Sequence, residues 1–417
     1  MSGYDRIPSK ANLQPKPFEA SISEGKLLEF KQLLKLSRIG PDVFENQQED
    51  RKYGVTRKWL SDAKSHWEGG FDWRATERHI NSFPNFTVPI KDDNGTEFVI
   101  HFAALFSEKE DAIPLAFFHG WPGSFLEFLD ILSLLKKRYS PAELPYHVIV
   151  PSLPGYAYSS GPPPDKDMTT ENAALVMNKL MVGLGFESGY IAQGGDIGSF
   201  VSRVLAVHYE ACKGTALFTA HSHCMAAELI SDPGMHLNMC MTPPPENSSE
   251  LKTEEVELKA LARGQAFRDD GFAYAMEHGT RTATIGLALS SSPLALLAWI
   301  GEKFLEWTDT DPALDRILDS VTLYWLTETF PRCIYPYRQL TRRSPTEYCQ
   351  KPFGYSWFPK ELFPVPVSWA ATTGNMVYHK RHMEGGHFAA MERPEDLLSD
   401  VEEFMRLAWK SKEGGKL

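Results

Sequence analysis

The sequence QGGDIGS at residues 193–199 decides the fold, because it links an apolar segment to a helical one. The apolar segment at 190–193 predicts a strand, and residues 197–208 predict a helix. Small residues two positions before and after a central reactive residue are typical of the nucleophile elbow, a strained strand-to-helix turn. The glycines on both sides let the strand and the helix approach closely, so the motif predicts a reactive side chain at the turn.

The central residue of this motif is Asp196, where Ser is usual. A carboxylate attacks a carbon that bears a leaving group and forms an alkyl ester, whose carbonyl must then be attacked by water. The alternative is that Asp196 only caps the following helix, since Asp is a favoured N-cap residue. The motif alone leaves both interpretations open.

The regions around this turn alternate between short apolar runs and helical periodicity. The runs at 114–118, 147–151 and 190–193 predict strands, and the segments at 124–139, 169–184 and 197–208 predict helices. This alternation is typical of a parallel α/β sheet. Upstream, an Asn-Gly pair between two alternating runs predicts a β-hairpin over residues 86–102.

Residues 246–340 are mainly helical and show no clear strand. The α/β character returns at 366–372, which we interpret as strand-like, and Pro394 begins a last helix. A sheet interrupted by helices predicts a core with a lid. In the first hundred residues, Ser21 to Glu24 fits a capping box, and Thr56 and Asp72 are predicted caps of two further helices.

The composition argues against several classes of protein. The 417 residues include 43 Lys and Arg against 54 Asp and Glu, giving a formal charge of −11. Nucleic-acid binding needs a clustered basic surface, so nucleic acid is not expected as a partner. The N-terminal residues lack an apolar core of signal-peptide length, and no run approaches the roughly 20 apolar residues of a membrane span. We therefore expect a cytoplasmic protein without a membrane anchor.

Five cysteines without a C-x-x-C pair do not suggest a disulfide framework or a zinc site. The cluster His221-Ser222-His223-Cys224 offers two alternating ligands and a thiol, as a zinc site would. No second pair of ligands lies at suitable spacing. We therefore expect no metal.

Two further segments carry groups that suit acyl chemistry. The loop HGWPGS at 119–124 follows a predicted strand, where hydrolases keep one oxyanion-hole N–H, while the residue after the nucleophile supplies the other. Here those donors would be the backbone N–H groups of Trp121 and Ile197, and the bond before Pro122 is a candidate for the cis form. Near the C-terminus, His387 follows two glycines and is a candidate base for the hydrolytic water. An ordinary Gly/Pro turn and a structural histidine are the alternatives.

The acid partner and the proton donors are harder to choose from the sequence. The turn at 374–376 offers no carboxylate, and the nearest upstream candidate is Glu361, for which an exposed loop residue is the alternative. A protonated phenol donates a hydrogen bond to a developing alkoxide. Spacing does not choose among the lid tyrosines, which are Tyr274, Tyr324, Tyr335 and Tyr337.

The sequence resembles the epoxide hydrolases, in the branch of the microsomal enzyme and its soluble fungal relatives. The resemblance runs from about residue 17 to about residue 409. It rests on HGWPGSF at 119–125, VPSLPGY at 150–156, GYIAQGGDIGS at 189–199, AYAMEHGTR at 273–281, SSSPLALLAWIGEKF at 290–304, YWLTETFPR at 324–332, FPKEL at 358–362 and GGHFAAMERP at 385–394.

The resemblance implies an α/β-hydrolase fold with a helical lid and an N-terminal extension. It implies an extension at 1–110 that contacts the lid, a core at 111–243 and 341–417, and a lid at 244–340. It also implies an enzyme that needs no cofactor, that acts on a small epoxide and that is often a homodimer.

The same resemblance assigns roles to the candidate residues. Asp196 is the expected nucleophile and His387 the expected base. The relay acid falls on Glu361. Tyr274 and Tyr337 are the expected proton donors to the epoxide oxygen, with Tyr335 in reserve for the second.

One segment departs from the family pattern. Residues 214–235 stand between Lys213 and His236, where relatives pass directly into a strand. The hypothesis is an added loop or a retained short intron, and a transcript that lacks these codons would prove the second. If the segment is real, we expect it to displace a central strand or to bulge near the lid.

Two other functions remain open at this point. A haloalkane dehalogenase also uses an Asp nucleophile, but it often has a Trp directly after it, where this chain has Ile197. A catalytically impaired hydrolase used for binding is the alternative from another class, and the insertion at 214–235 is its best support.

Overall fold

The computed structural model describes residues 3–212, 234–340 and 346–409. The strands among these residues are β1 Lys16–Pro17, β2 Asn85–Lys91, β3 Glu97–Leu105, β4 Ile113–Phe118, β5 Tyr146–Pro151, β6 Ile191–Gly194, β7 Met235–Leu237, β8 Cys349–Trp357 and β9 Gly374–Arg381. The helices are α1 Glu24–Leu36, α2 Arg57–Gly69, α3 Trp73–Asn81, α4 Leu129–Arg138, α5 Thr170–Met181, α6 Asp196–His208, α7 Glu255–Ala266, α8 Ala273–Thr280, α9 Thr282–Leu289, α10 Pro293–Trp307, α11 Leu314–Leu326, α12 Phe330–Cys333, α13 Tyr337–Leu340, α14 Val367–Ala370, α15 Ala389–Glu392 and α16 Pro394–Ala408.

The strands form one sheet in the order β1-β2-β3-β5-β4-β6-β7-β8-β9. β1, β2 and β3 pair antiparallel at one edge, and the strands from β5 to β9 run parallel. The parallel strands from β4 to β8 are mostly buried because helices cover the sheet, whereas β9 at the edge is largely exposed. This arrangement agrees with the predicted alternation of strands and helices.

The predicted hairpin is present, because β2 and β3 pair in register from Asn85↔Ala103 to Lys91↔Glu97. Its turn contains Gly95 with φ of 81°, a conformation that glycine adopts without steric cost. The predicted caps at Thr56 and Asp72 are also observed. The capping box at Ser21 is wrong, because α1 begins at Glu24 and the side chain of Ser23 caps it.

The C-terminal half of the sheet differs from the sequence prediction. Residues 366–372 are not strand-like: Val367–Ala370 form α14, and the strand is Gly374–Arg381. Cys349–Trp357 form a strand that the sequence analysis missed. A short apolar run flanked by prolines fits a buried helical turn as well as a strand, so periodicity does not separate the two.

The described elements between β7 and β8 are all helices, from α7 to α13, as the lid prediction requires. The N-terminal helices pack against this region. The indole N–H of Trp67 donates to Thr322 Oγ1 at 2.9 Å, and Thr76 Oγ1 donates to Asp319 Oδ1 at 2.5 Å. These contacts agree with the expected contact between the extension and the lid, while the bounds of the four predicted segments stay a prediction.

The strand next to the departing segment keeps its place in the sheet. β7 pairs parallel with β6 and with β8. The prediction that the insertion displaces a central strand is therefore wrong. Residues 214–233 of the segment lie outside the described residues, so the alternative of a bulge near the lid stays a prediction. Its last two residues are described: Gly234 precedes β7 and Met235 begins it.

The described residues just before and just after that segment bind to neighbouring positions at the start of β6. The backbone N–H of Tyr190 donates to Ala211 O at 3.0 Å, and that of Ala192 donates to Gly234 O at 3.1 Å. Cys212 Sγ also contacts Gly234 O at 3.9 Å. The two ends are thus held side by side on β6.

We expect that deletion of residues 214–233, which joins Lys213 to Gly234, leaves the fold intact. The ends already meet, and a shorter closed loop changes the free energy of unfolding by only about 1 kcal/mol. Chemical denaturation followed by circular dichroism measures this. The control replaces the same residues with a Gly/Ser segment of equal length, and loss of cooperative unfolding in the deletion variant alone would contradict the expectation.

Candidate active site

Three predicted site residues come from the carboxyl ends of three strands in the parallel half of the sheet. Asp196 follows β6, Glu361 follows β8 and His387 follows β9. Parallel strands end at the same edge of a sheet, so residues that follow them converge there. The missed strand β8 therefore explains how Glu361 reaches the site.

Asp196 occupies the predicted tight turn. Its φ is 44°, an uncommon and strained conformation for a residue with a side chain. The turn is tight because Gly198 lies against the backbone of Phe118, where a Cβ would collide with the carbonyl oxygen. The N-cap of α6 is Gly195, not Asp196, so the capping interpretation is wrong.

The Asp196 carboxylate faces the loop after β4. The backbone N–H of Trp121 donates to Asp196 Oδ1 at 2.6 Å. Ile197, the other predicted donor, is the second residue of α6, and the first four N–H groups of a helix have no intrahelical acceptor. The helix N-terminus also favours a negative charge at this position.

Several contacts hold the loop of Trp121 in place. The Trp121–Pro122 bond is cis, as the sequence analysis suggested. Tyr324 donates its hydroxyl hydrogen bond to Gly123 O at 2.7 Å. His119 accepts from the N–H of Leu153 at 3.1 Å through Nε2, and burial lowers the pKa of His119 to about 4, so this ring is neutral.

His387 connects the two carboxylates. Its Nδ1 lies 2.7 Å from Glu361 Oε1, and its Nε2 lies 3.4 Å from Asp196 Oδ2. Burial alone would lower the pKa of His387, but the charge of Glu361 and the hydrogen bonds to Asp196 and Glu361 outweigh burial and raise it well above its usual range. The imidazole is therefore charged at neutral pH.

Glu361 is buried, so the alternative of an exposed loop residue is wrong. Its Oε1 also accepts the backbone N–H of Leu362 at 2.6 Å. Its carbonyl oxygen accepts a hydrogen bond from Arg263 on α7, which fixes the loop against the lid. These contacts orient the carboxylate toward the imidazole.

Tyr274 and Tyr337 are neighbours in the lid. Their ring centroids lie 5.8 Å apart, and their side chains hydrogen-bond each other. The indole of Trp121 stacks on Tyr274 at 5.3 Å and meets Tyr337 edge-on at 5.9 Å. The loop that contacts Asp196 thus also supports both tyrosines.

Both phenols are protonated near neutral pH. Burial raises the pKa of Tyr274 well above its usual range, and the charge of Asp196 adds to this effect. For Tyr337, burial acts first, followed by Tyr274 and Asp196. Both hydroxyl groups therefore lie within electrostatic range of the carboxylate.

The other two candidate tyrosines lie differently. The hydroxyl of Tyr324 donates to Gly123 O in the loop of Trp121. Tyr335 is buried but makes no ring contact with Tyr274 or Trp121 among the described residues. The structure therefore brings Tyr337, and not the reserve residue, next to Tyr274.

Sequence reasoning missed other residues around the site. The ring of His278 packs edge-on against Trp121 and Tyr337, with ring centroids 4.5 and 4.8 Å apart. Burial lowers the pKa of His278 to about 3. The ring centroid of Trp307 lies 5.2 Å from that of His387 and 5.1 Å from that of Tyr274. A histidine four residues after Tyr274 on one helix was the available signal for His278, whereas Trp307 had no local signal.

The described residues contain no group of three or more His, Cys, Asp or Glu side chains arranged to hold a metal ion. The cluster of His221, His223 and Cys224 lies outside them. No single helix within the described ranges is long and apolar enough to cross a membrane. The consecutive helices α9 and α10 reach that length and hydrophobicity only when taken together, and they meet at a bend of 117°.

Family models match two parts of the chain. Residues 15–128 match the N-terminal region of epoxide hydrolases, and residues 113–261 match the α/β-hydrolase fold. The second match agrees with the sheet order and confirms the predicted fold class.

Individual proteins match over nearly the whole length. A Dothistroma septosporum protein named "Putative epoxide hydrolase" is 49% identical over 99% of this chain and 95% of its own. The structure of Aspergillus niger epoxide hydrolase superimposes with a TM-score of 0.88 at 48% identity, covering 97% of this chain and 100% of that one. The juvenile hormone epoxide hydrolase of the silkworm Bombyx mori shares the fold, with a TM-score of 0.79 at 24% identity over 96% of this chain and 97% of its own.

We expect Glu361→Gln to lower the pKa of His387. The substitution keeps an oxygen near Nδ1 but removes the charge that most opposes the effect of burial. Titration of the imidazole by NMR measures the change. Glu384→Gln is the matched control, because Glu384 is exposed and pairs with Arg393. An unchanged pKa in Glu361→Gln would show that Glu361 does not govern the imidazole.

Proposed function

The chain belongs to the epoxide hydrolase family, and we propose that it opens the epoxide ring through an ester formed on Asp196. The observation that supports this most is the approach of the Asp196 carboxylate to His387, which in turn contacts Glu361. A carboxylate and an imidazole in this relation suit two successive steps, attack on carbon and hydrolysis of the resulting ester.

In the first step, an oxygen of Asp196 attacks one carbon of the epoxide. The new C–O ester bond forms as the bond between that carbon and the ring oxygen breaks. The ring oxygen leaves as an alkoxide that takes a proton from the pair Tyr274 and Tyr337. Their raised pKa supports this role, because a phenol that is protonated at neutral pH is available as a donor.

In the second step, His387 acts as the base for water. Ester formation removes the negative charge of Asp196, which is one of the groups that raise the pKa of His387. The imidazole then gives up its proton more readily, which restores the phenol. The water oxygen bonds to the ester carbonyl carbon as one water proton passes to His387. The bond to the product oxygen then breaks, and that oxygen takes the second water proton, which leaves Asp196 ionised. The cycle therefore consumes one epoxide and one water and releases one 1,2-diol.

The tetrahedral intermediate of this second step carries a negative oxygen. The N–H of Trp121 already donates to one oxygen of Asp196, and the N–H of Ile197 lies at the start of α6. Preorganised donors of this kind stabilise the developing charge, and removal of one costs about 10²–10³ in rate in other hydrolases. We propose these two groups as the oxyanion hole.

The two alternative functions receive less support. A dehalogenase needs donors for a halide, and the residue after Asp196 is Ile197, whose side chain has none. The case for a catalytically impaired hydrolase rests on the segment at 214–235. However, β7, which follows that segment, pairs with β6, and Asp196, His387 and Glu361 lie in contact.

We also propose a cytoplasmic homodimer. The described cysteines, which are Cys212, Cys240, Cys333 and Cys349, are free and buried, as expected in a reducing compartment. The homodimer follows from the family resemblance. Light scattering of the purified chain measures its mass, and a monomer at micromolar concentration would contradict it.

Asp196→Ala is expected to abolish turnover, because no other group in the site is proposed to form the ester. His387→Gln is expected to form the ester and fail to hydrolyse it, at a loss of about 10²-fold or more in turnover. Intact-protein mass spectrometry after mixing with styrene oxide, a simple aryl epoxide, detects the adduct.

The control for both variants is Asp196→Ala combined with His387→Gln, which must show no adduct. An adduct in this double variant would mean that the ester forms elsewhere. Absence of an adduct in His387→Gln, while the wild type converts the epoxide to a diol, would argue against the ester mechanism.

Tyr274→Phe and Tyr337→Phe are each expected to slow ester formation, because either change leaves one phenol to activate the ring oxygen. The expected loss is about 10²-fold for each. Rapid-quench measurement of adduct formation under single-turnover conditions tests this. Tyr335→Phe is the matched control, and an equal loss there would contradict the choice of Tyr337.

A further inference from the structure

Glu127 carries a carboxyl group that the mechanism above does not use, and its side chain is half-buried. It belongs to the short helical turn Phe125–Phe128, which follows the loop of Trp121. Its Oε1 accepts the backbone N–H of Ser124 at 3.1 Å. Gly123 leaves room for this carboxyl, since a Cβ at that position would collide with Glu127 Oε1.

Glu127 shares a small cavity with the two central residues of the site. Asp196, His387 and Glu127 all line it, and Asn238 and Phe388 are among the remaining lining residues. The cavity offers about 10 Å³ to the centre of a water molecule, which is about the room that one buried water needs. A buried water also needs two to four polar partners, and these three side chains provide them.

The charges that act on Glu127 are consistent with its position near Asp196 and His387. Burial raises the pKa of Glu127 to about 8, while His387 lowers it and Asp196 raises it. Although protein surrounds Glu127, part of its surface stays accessible, as expected for a side chain that faces a cavity. The carboxyl is mostly neutral at pH 7, and a neutral carboxyl both donates and accepts hydrogen bonds.

We propose that Glu127 is a positioning residue that holds the hydrolytic water between the Asp196 ester and His387. This inference rests on the proposed ester mechanism and adds a third contact for the water. One O–H of the water points to His387 Nε2 and loses its proton there. The other O–H stays intact and is accepted by the carboxyl oxygen of Glu127 that faces the cavity.

The step balances without a change in Glu127. The water oxygen forms a bond to the ester carbonyl carbon, and the proton passes to His387. Collapse of the tetrahedral intermediate then breaks the bond between that carbon and the product oxygen. This oxygen takes the proton of the O–H that stayed intact during the attack, so the diol leaves and Asp196 returns as a carboxylate. Glu127 neither gains nor loses a proton, so its part is to orient the attacking lone pair toward the carbonyl carbon.

A purely structural role for Glu127 is the competing explanation. Ser124 and Glu127 form a capping box, in which Ser124 Oγ accepts the N–H of Leu126 and Glu127 accepts the N–H of Ser124. This box stabilises the turn after the loop. Ser124→Ala breaks the box from its other side and leaves the Glu127 carboxyl in the cavity, so it is a matched control.

Glu127→Gln separates the two roles. The amide oxygen still accepts the N–H of Ser124, which keeps the capping contact. The amide NH₂ then faces the cavity and donates only, so it cannot accept the O–H of the water. Thermal unfolding measures the structural part, and rapid-quench mass spectrometry with styrene oxide measures ester formation and ester hydrolysis separately.

We expect ester formation in Glu127→Gln to stay within about threefold of the wild type, with ester hydrolysis slower by about tenfold or more. The adduct then accumulates during turnover, while Ser124→Ala lowers the unfolding temperature without accumulating adduct. Equal loss of both rates, or adduct accumulation in Ser124→Ala as well, would overturn the inference.

The design also distinguishes this inference from the proposed function. An adduct in His387→Gln supports the ester mechanism independently of Glu127. If His387→Gln accumulates adduct and Glu127→Gln hydrolyses it at the wild-type rate, only the role of Glu127 is rejected. If neither variant forms adduct while the wild type makes diol, the ester mechanism itself is rejected.

Discussion

The contact between His387 and the two carboxylates is the constraint on which the rest of the structure depends. Burying a charged imidazole costs free energy unless opposite charges accompany it. Glu361 at 2.7 Å and Asp196 at 3.4 Å supply those charges. The sheet brings all three residues to one edge, and the tight turn at Asp196 is tolerated because glycines allow the surrounding backbone to close on it.

The aromatic side chains join this charged centre to the lid. Trp121 belongs to the core loop, yet its ring lies against Tyr274 and Tyr337. The ammonium of Lys303 also lies 4.8 Å from the ring centroid of Tyr274. A displacement of the lid would therefore disturb both the tyrosines proposed to protonate the epoxide oxygen and the Trp121 N–H proposed for the oxyanion hole. Ring opening and ester hydrolysis thus depend on the same aromatic packing.

The central turn was predictable because its signal is local. A small residue on each side of a reactive one, after an apolar run, limits the backbone to few conformations, and the Asn-Gly hairpin is limited in the same way. The strand at Cys349–Trp357 was not found because Lys351, Pro352 and Gly354 interrupt its apolar residues, and a proline within a run argues against a strand. The helix at Val367–Ala370 was taken for a strand because short buried runs of either kind share one apolar pattern. The strand is set by β7 and β9, which supply its hydrogen-bond partners, whereas the helical turn bonds within itself, as from the Ala370 N–H to Pro366 O.

The sequence by itself determined the chemistry of this protein: an Asp at the elbow, a histidine after two glycines and a family resemblance that points to epoxides. Only the tertiary structure decided which groups meet. From its local sequence Glu361 was a weak candidate that only the family resemblance raised to the relay acid, and the fold buries it beside the imidazole. The fold also places Tyr337 rather than Tyr335 next to Tyr274 and brings Glu127 to the cavity of the site. Residues far apart along the chain have no shared local pattern, so their contact depends on how strands and helices pack.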